Sequence, residues 1–218
     1  MADLTLVIGN RNYSSWSMRP WVLMRAKQIE FQEVQIRLFQ PDSLERKLAY
    51  SPAGKVPILV SGELHVWESL AILDRLAELF PDRGLWPSEG APRAVARSVS
   101  AEMHAGFEGL RTHMPMNCRA RLPGRGRGPG VEEEIVRVRN LWRDCRARFG
   151  QGGDFLFGDF GNADAMFAPV ASRFQTYGVE LTGVEGEYAE AVVSHPAVAE
   201  WFRAAEAEPW TVPQYELG

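Results

Sequence analysis

One change of pattern constrains this chain more than any other feature. Up to Phe80 the apolar residues switch repeatedly between strand and helix spacing. Beyond the Pro- and Gly-rich stretch from Pro81 to Pro92 the spacing is almost wholly helical. Leu4–Ile8 reads as a buried strand stopped by Gly9-Asn10, and Ser17–Ile29 as a helix. Phe31–Leu38 alternates as a second strand, and Ser43–Tyr50 suits a short helix. Val56–Val60 and Leu64–Trp67, joined by Ser61-Gly62-Glu63, read as an antiparallel hairpin. Ser69–Phe80 then carries Leu70, Leu73, Leu76, Ala77 and Phe80 on one helical face. The expected order is β-α-β-α-β-β-α. This predicts an α/β domain over residues 1–82, a linker over 83–92 and an all-α domain over 93–218, its first long helix running from Arg93 to Met114.

Composition removes several function classes. At 218 residues, 45% hydrophobic and 24% charged, the chain has enough apolar material for a real core. With 24 Lys+Arg against 28 Asp+Glu it lacks the basic excess of a protein that coats nucleic acid. Arg119, Arg121, Arg125 and Arg127 therefore read as part of a solvated Gly/Pro loop. Glu132-Glu133-Glu134 reads as acidic material at a helix start. The two cysteines, Cys118 and Cys145, lie far apart with no His cluster, so neither a disulfide framework nor a metal site is expected. No long apolar run and no basic leader precede the first strand, so the expectation is a cytoplasmic protein without membrane or nucleic-acid partners.

Three segments carry potential chemistry. The first is Asn12-Tyr-Ser-Ser-Trp-Ser-Met-Arg-Pro-Trp21, between the first strand and the first helix. Proline is tolerated in a helix's first turn, so Ser17 is expected as N-cap, with Ser14 and Ser15 in the loop just before it. Hydroxyls facing free backbone N–H groups suit an anion such as a thiolate or carboxylate, although serine also simply caps helices. The second is Ser51-Pro-Ala-Gly-Lys-Val-Pro57, where a proline opens an apolar strand into which it cannot donate. A cis Val56–Pro57 bond would present the Val56 backbone to a peptide ligand. The third is Trp67-Glu-Ser69 at a helix start, where Ser69 and free N–H groups can take a carboxylate and Glu68 an ammonium group.

In this order and spacing the three segments resemble the glutathione transferase family over nearly the whole chain. SSWSMRPW is similar to the serine-type motif SSCSWRVR of zeta-class and related bacterial members, matching at Ser14, Ser15, Ser17 and Arg19, with Trp16 in place of the motif's cysteine. The resemblance implies a thioredoxin-like N-terminal domain, glutathione as co-substrate, no metal, and a homodimer. It implies a catalytic serine, Ser14 first and Ser15 in reserve, and a glutathione site of Lys55, Val56, Pro57, Glu68 and Ser69. Tyr13, Trp16, Met103, Phe107 and Arg111 are the expected walls of a pocket for a small electrophile. Gly161-Asn-Ala-Asp164 stands where the family has a Ser/Thr-x-x-Asp helix start, and reads as folding hardware. His104 and His113 read as surface or interface histidines, and Cys145 as a small core hydrophobe. The implied activity is thiolate transfer, with glutathione-dependent isomerisation of the maleylacetoacetate type and a non-catalytic binding module as alternatives.

Overall fold

The structure is a computed structural model describing residues 3–217. It begins with β1 (Leu4–Ile8), α1 (Ser15–Ala26), β2 (Gln32–Gln35) and α2 (Ser43–Leu48). The hairpin β3 (Ile58–Ser61) and β4 (Leu64–Trp67) follows, then α3 (Ser69–Leu79). The sheet order is β2-β1-β3-β4, with β1 parallel to β2 and the two hairpin strands antiparallel to their neighbours. This is the thioredoxin-like arrangement, and the expected element order holds throughout.

The second half is helical: α4 (Gly90–Ala105), α5 (Glu108–His113), α6 (Val131–Phe149), α7 (Asn162–Tyr177), α8 (Gly183–Ser194) and α9 (Pro196–Glu206). None of the helices among the described residues is long and apolar enough to cross a membrane. Helix α7 is the axis of this domain; every residue of it but Gln175 is buried, and α1, α4 and α8 all lie against it. One continuous core therefore joins the inner face of the sheet, through α1 and α3, to the helical half, while Val7, Ile36 and Ile58 pack on the sheet's other face.

Two boundaries differ from the expectation for local reasons. Helix α1 starts two residues early, with Ser14 as N-cap, so Pro20 sits in the second turn and not the first. The Ser14 hydroxyl accepts from Ser17 N–H at 3.4 Å and donates to Ser17 Oγ at 2.8 Å, which itself accepts from Gly9 N–H at 3.1 Å. That hydroxyl pair ties the end of β1 to the start of α1 and outweighs the misplaced proline. The predicted helix from Arg93 to Met114 starts instead at Gly90 and breaks at Gly106-Phe107, where Phe107 takes a left-handed φ of 62°. The guanidinium of Arg111 turns back on the exposed end of α4, donating to the carbonyls of Gly106 at 3.0 Å, His104 at 3.3 Å and Met103. The Glu134 carboxylate caps α5, accepting from Gly109 and Leu110 N–H at 3.1 and 2.7 Å.

Helix α7 begins at a buried carboxyl. Asp164 accepts from Gly161 N–H at 2.9 Å and from Leu156 N–H at 3.1 Å, and burial pushes its pKa up to about 6. Asp164→Ala leaves both N–H groups unpaired, and chemical denaturation should show a loss of about 1–3 kcal/mol. A raised carboxyl pKa means the folded state holds its proton where the unfolded chain has released it. That contribution is complete at acid pH and is lost as pH rises from the ordinary 3.8 through about 6. The stability of the native chain relative to Asp164→Asn should accordingly fall across that interval.

Candidate active site

The loop between β1 and α1 is fixed chiefly from the second domain. Asn12 donates through its side chain to Asn117 at 2.8 Å, and its side-chain oxygen accepts from Arg119 N–H at 3.0 Å. Glu208, in the segment after α9, accepts from Arg11 N–H at 2.8 Å and Asn12 N–H at 3.2 Å. These contacts deliver Ser14 and Ser15 to the N-terminus of α1, where the Trp16 N–H donates to no described atom. Ser15 Oγ accepts from Arg173 Nη2 at 3.1 Å.

The Val56–Pro57 bond is cis, and the Val56 N–H and C=O pair with no described backbone group. Glu68 precedes α3 with a φ of 67°, a conformation that turns its carboxylate outward, to 3.4 Å from His104 Nε2. Ser69 is buried and accepts from Arg19 Nη1 at 3.1 Å. Trp16 lies beneath two guanidinium groups, with Arg19 at 4.3 Å and Arg111 at 4.6 Å from its ring centroid, and meets the His104 ring edge-on at 5.3 Å. The serines, Glu68-Ser69, Trp16 and Arg111 are thus linked in one constellation.

Its electrostatics are lopsided. Arg19, Arg111 and Arg173 have no carboxylate within 4.0 Å among the described residues, the limit inside which the other ion pairs of the molecule fall. Burial, with repulsion from Arg111 and Arg173, pushes Arg19 well below the usual arginine value. Burial and Arg111 bring Arg173 down to about 10. Burial and Arg19 hold His104 below its ordinary value. Glu68 favours charged Arg19 and Glu134 charged Arg111 only from beyond 4.0 Å, so positive charge is in excess here, and buried charge without close partners is costly.

Of the expected pocket walls, Met103 and Phe107 are 1% and 7% exposed and pack into the core. Tyr13 is buried under the C-terminal segment, its hydroxyl bonded to Glu216 and, at 2.9 Å, to Arg119. Lys55 is exposed and has no ionic partner among the described residues, and Pro57 is buried beside Val56. His104, expected at the surface, lies at the site. Arg173 carries no motif; its one signal is that it is the single basic residue of α7. Cys118 and Cys145 are buried, which pushes both thiols up to about 12. No cluster of three or more His, Cys, Asp or Glu able to hold a metal occurs among the described residues. A separate cavity of about 1190 Å³ opens between α3, the linker and the end of α6, away from the serines.

The family model for the glutathione S-transferase N-terminal domain matches residues 13–79, and that for the C-terminal domain matches residues 128–204. With fold and both domains in agreement, the chain belongs to the glutathione S-transferase family. Among its relatives is a probable maleylacetoacetate isomerase of Caenorhabditis elegans, 24% identical over 168 residues, 75% of this chain and 77% of the relative. Another, from Vibrio cholerae, is 27% identical over 108 residues, 46% of this chain and 50% of the relative. Similar folds include a glutathione transferase homolog from Burkholderia with bound glutathione, at TM-score 0.72 and 20% identity over 94% of this chain and 100% of that one. A bacterial zeta-class maleyl pyruvate isomerase superposes at TM-score 0.70 and 18% identity over 95% and 100%.

Because Glu208 fixes the serine loop with a buried carboxylate, Glu208→Ala should cost about 1–3 kcal/mol in urea denaturation. It should also weaken binding to glutathione resin, since the loop loses two of its anchors.

Proposed function

We propose that this chain binds glutathione as a co-substrate, raises its thiolate at the N-terminus of α1, and adds that thiolate to a small electrophile bearing carboxylate groups, isomerising it. The observation that carries this reading is the group of three guanidinium groups, Arg173 on Ser15 and Arg19 and Arg111 on Trp16, with no carboxylate within 4.0 Å among the described residues. The isomerase names among the relatives favour the same direction. Glutathione's γ-glutamyl end would meet Glu68 and Ser69, and its cysteinyl amides would pair with the free Val56 backbone as an added strand. A free thiol with pKa about 8.5 is only a few per cent ionised at neutral pH, and lowering it by about two units makes it mostly thiolate. A hydroxyl hydrogen bond and a helix N-terminus each favour the anion.

For an alkene conjugated to a carbonyl, the sulfur adds to carbon and the double-bond electrons move onto the carbonyl oxygen. Rotation about the resulting single bond, return of the electrons and loss of the thiolate give the other geometric isomer, with no net gain or loss of atoms. Arg111, the partly exposed member of the three, would hold a substrate carboxylate and the transient enolate charge, with buried Arg19 adding to the positive field behind it. Conjugation results where the electrophile has a group that leaves instead. A cytoplasmic homodimer completes the reading, with exposed Leu64, Trp67 and Val136 offering apolar surface for a second copy.

Parallel assays of a cis-alkene dicarboxylate for isomerisation and an uncharged chromogenic electrophile for conjugation test the reading. Turnover of the uncharged compound alone would overturn it. Arg111→Gln should lower kcat/KM for the carboxylated substrate about tenfold more than for the uncharged one, a ratio that cancels any loss of folded protein. Glu68→Gln and Ser69→Ala should weaken glutathione binding in calorimetry with a smaller effect on saturated turnover, because they touch the end of the tripeptide remote from sulfur.

A further inference from the structure

Trp16 stands where the similar motif has a cysteine, and its surroundings give it a task. Ser15, Ser17, Met18 and Arg19 around it are buried, whereas Trp16 is partly exposed between the two halves of the molecule. Its ring meets His104 of α4 edge-on at 5.3 Å and lies 4.6 Å from Cζ of Arg111 on α5. Arg111 is itself partly exposed, and two of its three nitrogens are held by carbonyls: Nε by Gly106, Nη2 by His104 and Met103. The third, Nη1, is buried and has no hydrogen-bond partner among the described residues. Arg19 repeats the pattern, with Cζ 4.3 Å from the same ring, Nη1 donating to Ser69 at 3.1 Å, and Nε buried without a partner. A buried donor without an acceptor is costly, and an aromatic face offsets that cost only in part.

We propose that the Trp16 indole is a displaceable cover on Arg111: it shields Nη1 while the pocket is empty and turns aside when a substrate carboxylate takes that nitrogen. This role rests on the proposed carboxylate-bearing electrophile and deepens it, by naming the residue that sets how strongly the pocket prefers a carboxylate. An uncharged electrophile offers Nη1 nothing better than the ring and leaves the ring in place. A carboxylate offers a charge-assisted hydrogen bond, which is stronger than the contact it replaces. Arg111 stays where it is, because the Gly106, His104 and Met103 carbonyls already fix its other two nitrogens. Arg19 is fully buried and remains on Ser69. Part of the carboxylate's binding energy goes into moving the ring. The native indole therefore lowers the affinity for carboxylates and leaves that for uncharged electrophiles unchanged.

The test is a titration of the full-length protein, saturated with S-methylglutathione so that no sulfur can add, with maleate and with its uncharged dimethyl ester. Calorimetry gives the affinities and tryptophan fluorescence follows the ring. Maleate should change the native emission and the ester should not, since only maleate lifts the indole off its cation; Trp16→Phe should lose most of that change. A phenyl face holds a cation less well than an indole, and a leucine has bulk without a π face. Trp16→Phe should therefore bind maleate about threefold tighter than the native chain and Trp16→Leu about tenfold tighter, with ester affinity alike in all three. In an Arg111→Gln background the identity of residue 16 should no longer matter to maleate. Maleate binding that is weaker or unchanged in both Trp16 variants overturns the cover and leaves the ring as a fixed brace. An emission change of equal size in Trp16→Phe overturns its movement. Should Trp16→Leu fail to fold, the direction of change in Trp16→Phe still decides. Maleate that binds to neither the native chain nor its variants defeats the carboxylated substrate, and S-methylglutathione that does not bind defeats the use of glutathione; both results are distinct from a failure of the cover alone.

Discussion

Positive charge in excess of negative charge is the constraint around which this site is organised. Arg19, Arg111 and Arg173 come from three helices; Arg19 and Arg173 are both pushed down by Arg111, while Glu68 favours charged Arg19 and Glu134 charged Arg111 only from beyond 4.0 Å. Peptide dipoles and an aromatic face relieve them at close range. Arg111 lies on the terminal carbonyls of α4, Arg173 on those of Met114 and Pro169, and both Arg19 and Arg111 on the indole of Trp16. Carbonyls and a π face soften a cation without neutralising it. In the proposed reading, the cluster so softened gains further when an anion arrives. A carboxylate in the same place would satisfy the arginines permanently and remove that gain.

The arrangement also explains why the site needs both domains. The β1–α1 loop comes from the thioredoxin-like half, but Asn117, Arg119 and Glu208 of the helical half hold it. Arg173 reaches across the same boundary to Ser15. Since α1 packs on α7 and α9 through a core that does not divide at the linker, the serines are positioned by the same burial that joins the domains. A cut between the halves would leave the glutathione motifs in sequence and lose their geometry.

What was legible in the sequence was local. The β3–β4 hairpin and α3 follow from alternation and helical spacing, and the three motifs follow from adjacent residues. The start of α1 was misread because Pro20 suggests a first turn, whereas the Ser14–Ser17 hydroxyl pair, invisible in a propensity argument, sets the cap at Ser14, three residues before the expected Ser17. The break after α4 depends on Arg111 returning to carbonyls five to eight residues back, which helical periodicity does not encode. The Met103–Phe107 stripe was correctly seen as apolar, but its direction depends on where α7 lies. Arg173 stands 158 positions from Ser15, and only the folded chain brings them together.

Trp16 shows how one substitution narrows the chemistry. In the motif that this segment resembles, the position holds a thiol; here an indole lies under two guanidinium groups. Thiol–disulfide exchange needs a protein thiolate that is both accessible and of low pKa. The two cysteines of the chain are buried, and both thiols are pushed up to about 12, largely by loss of solvent. Neither can supply that thiolate at neutral pH. In the proposed reading the sulfur chemistry belongs to glutathione itself, added to carbon and either retained or released, and Trp16 contributes an aromatic face that braces two cations.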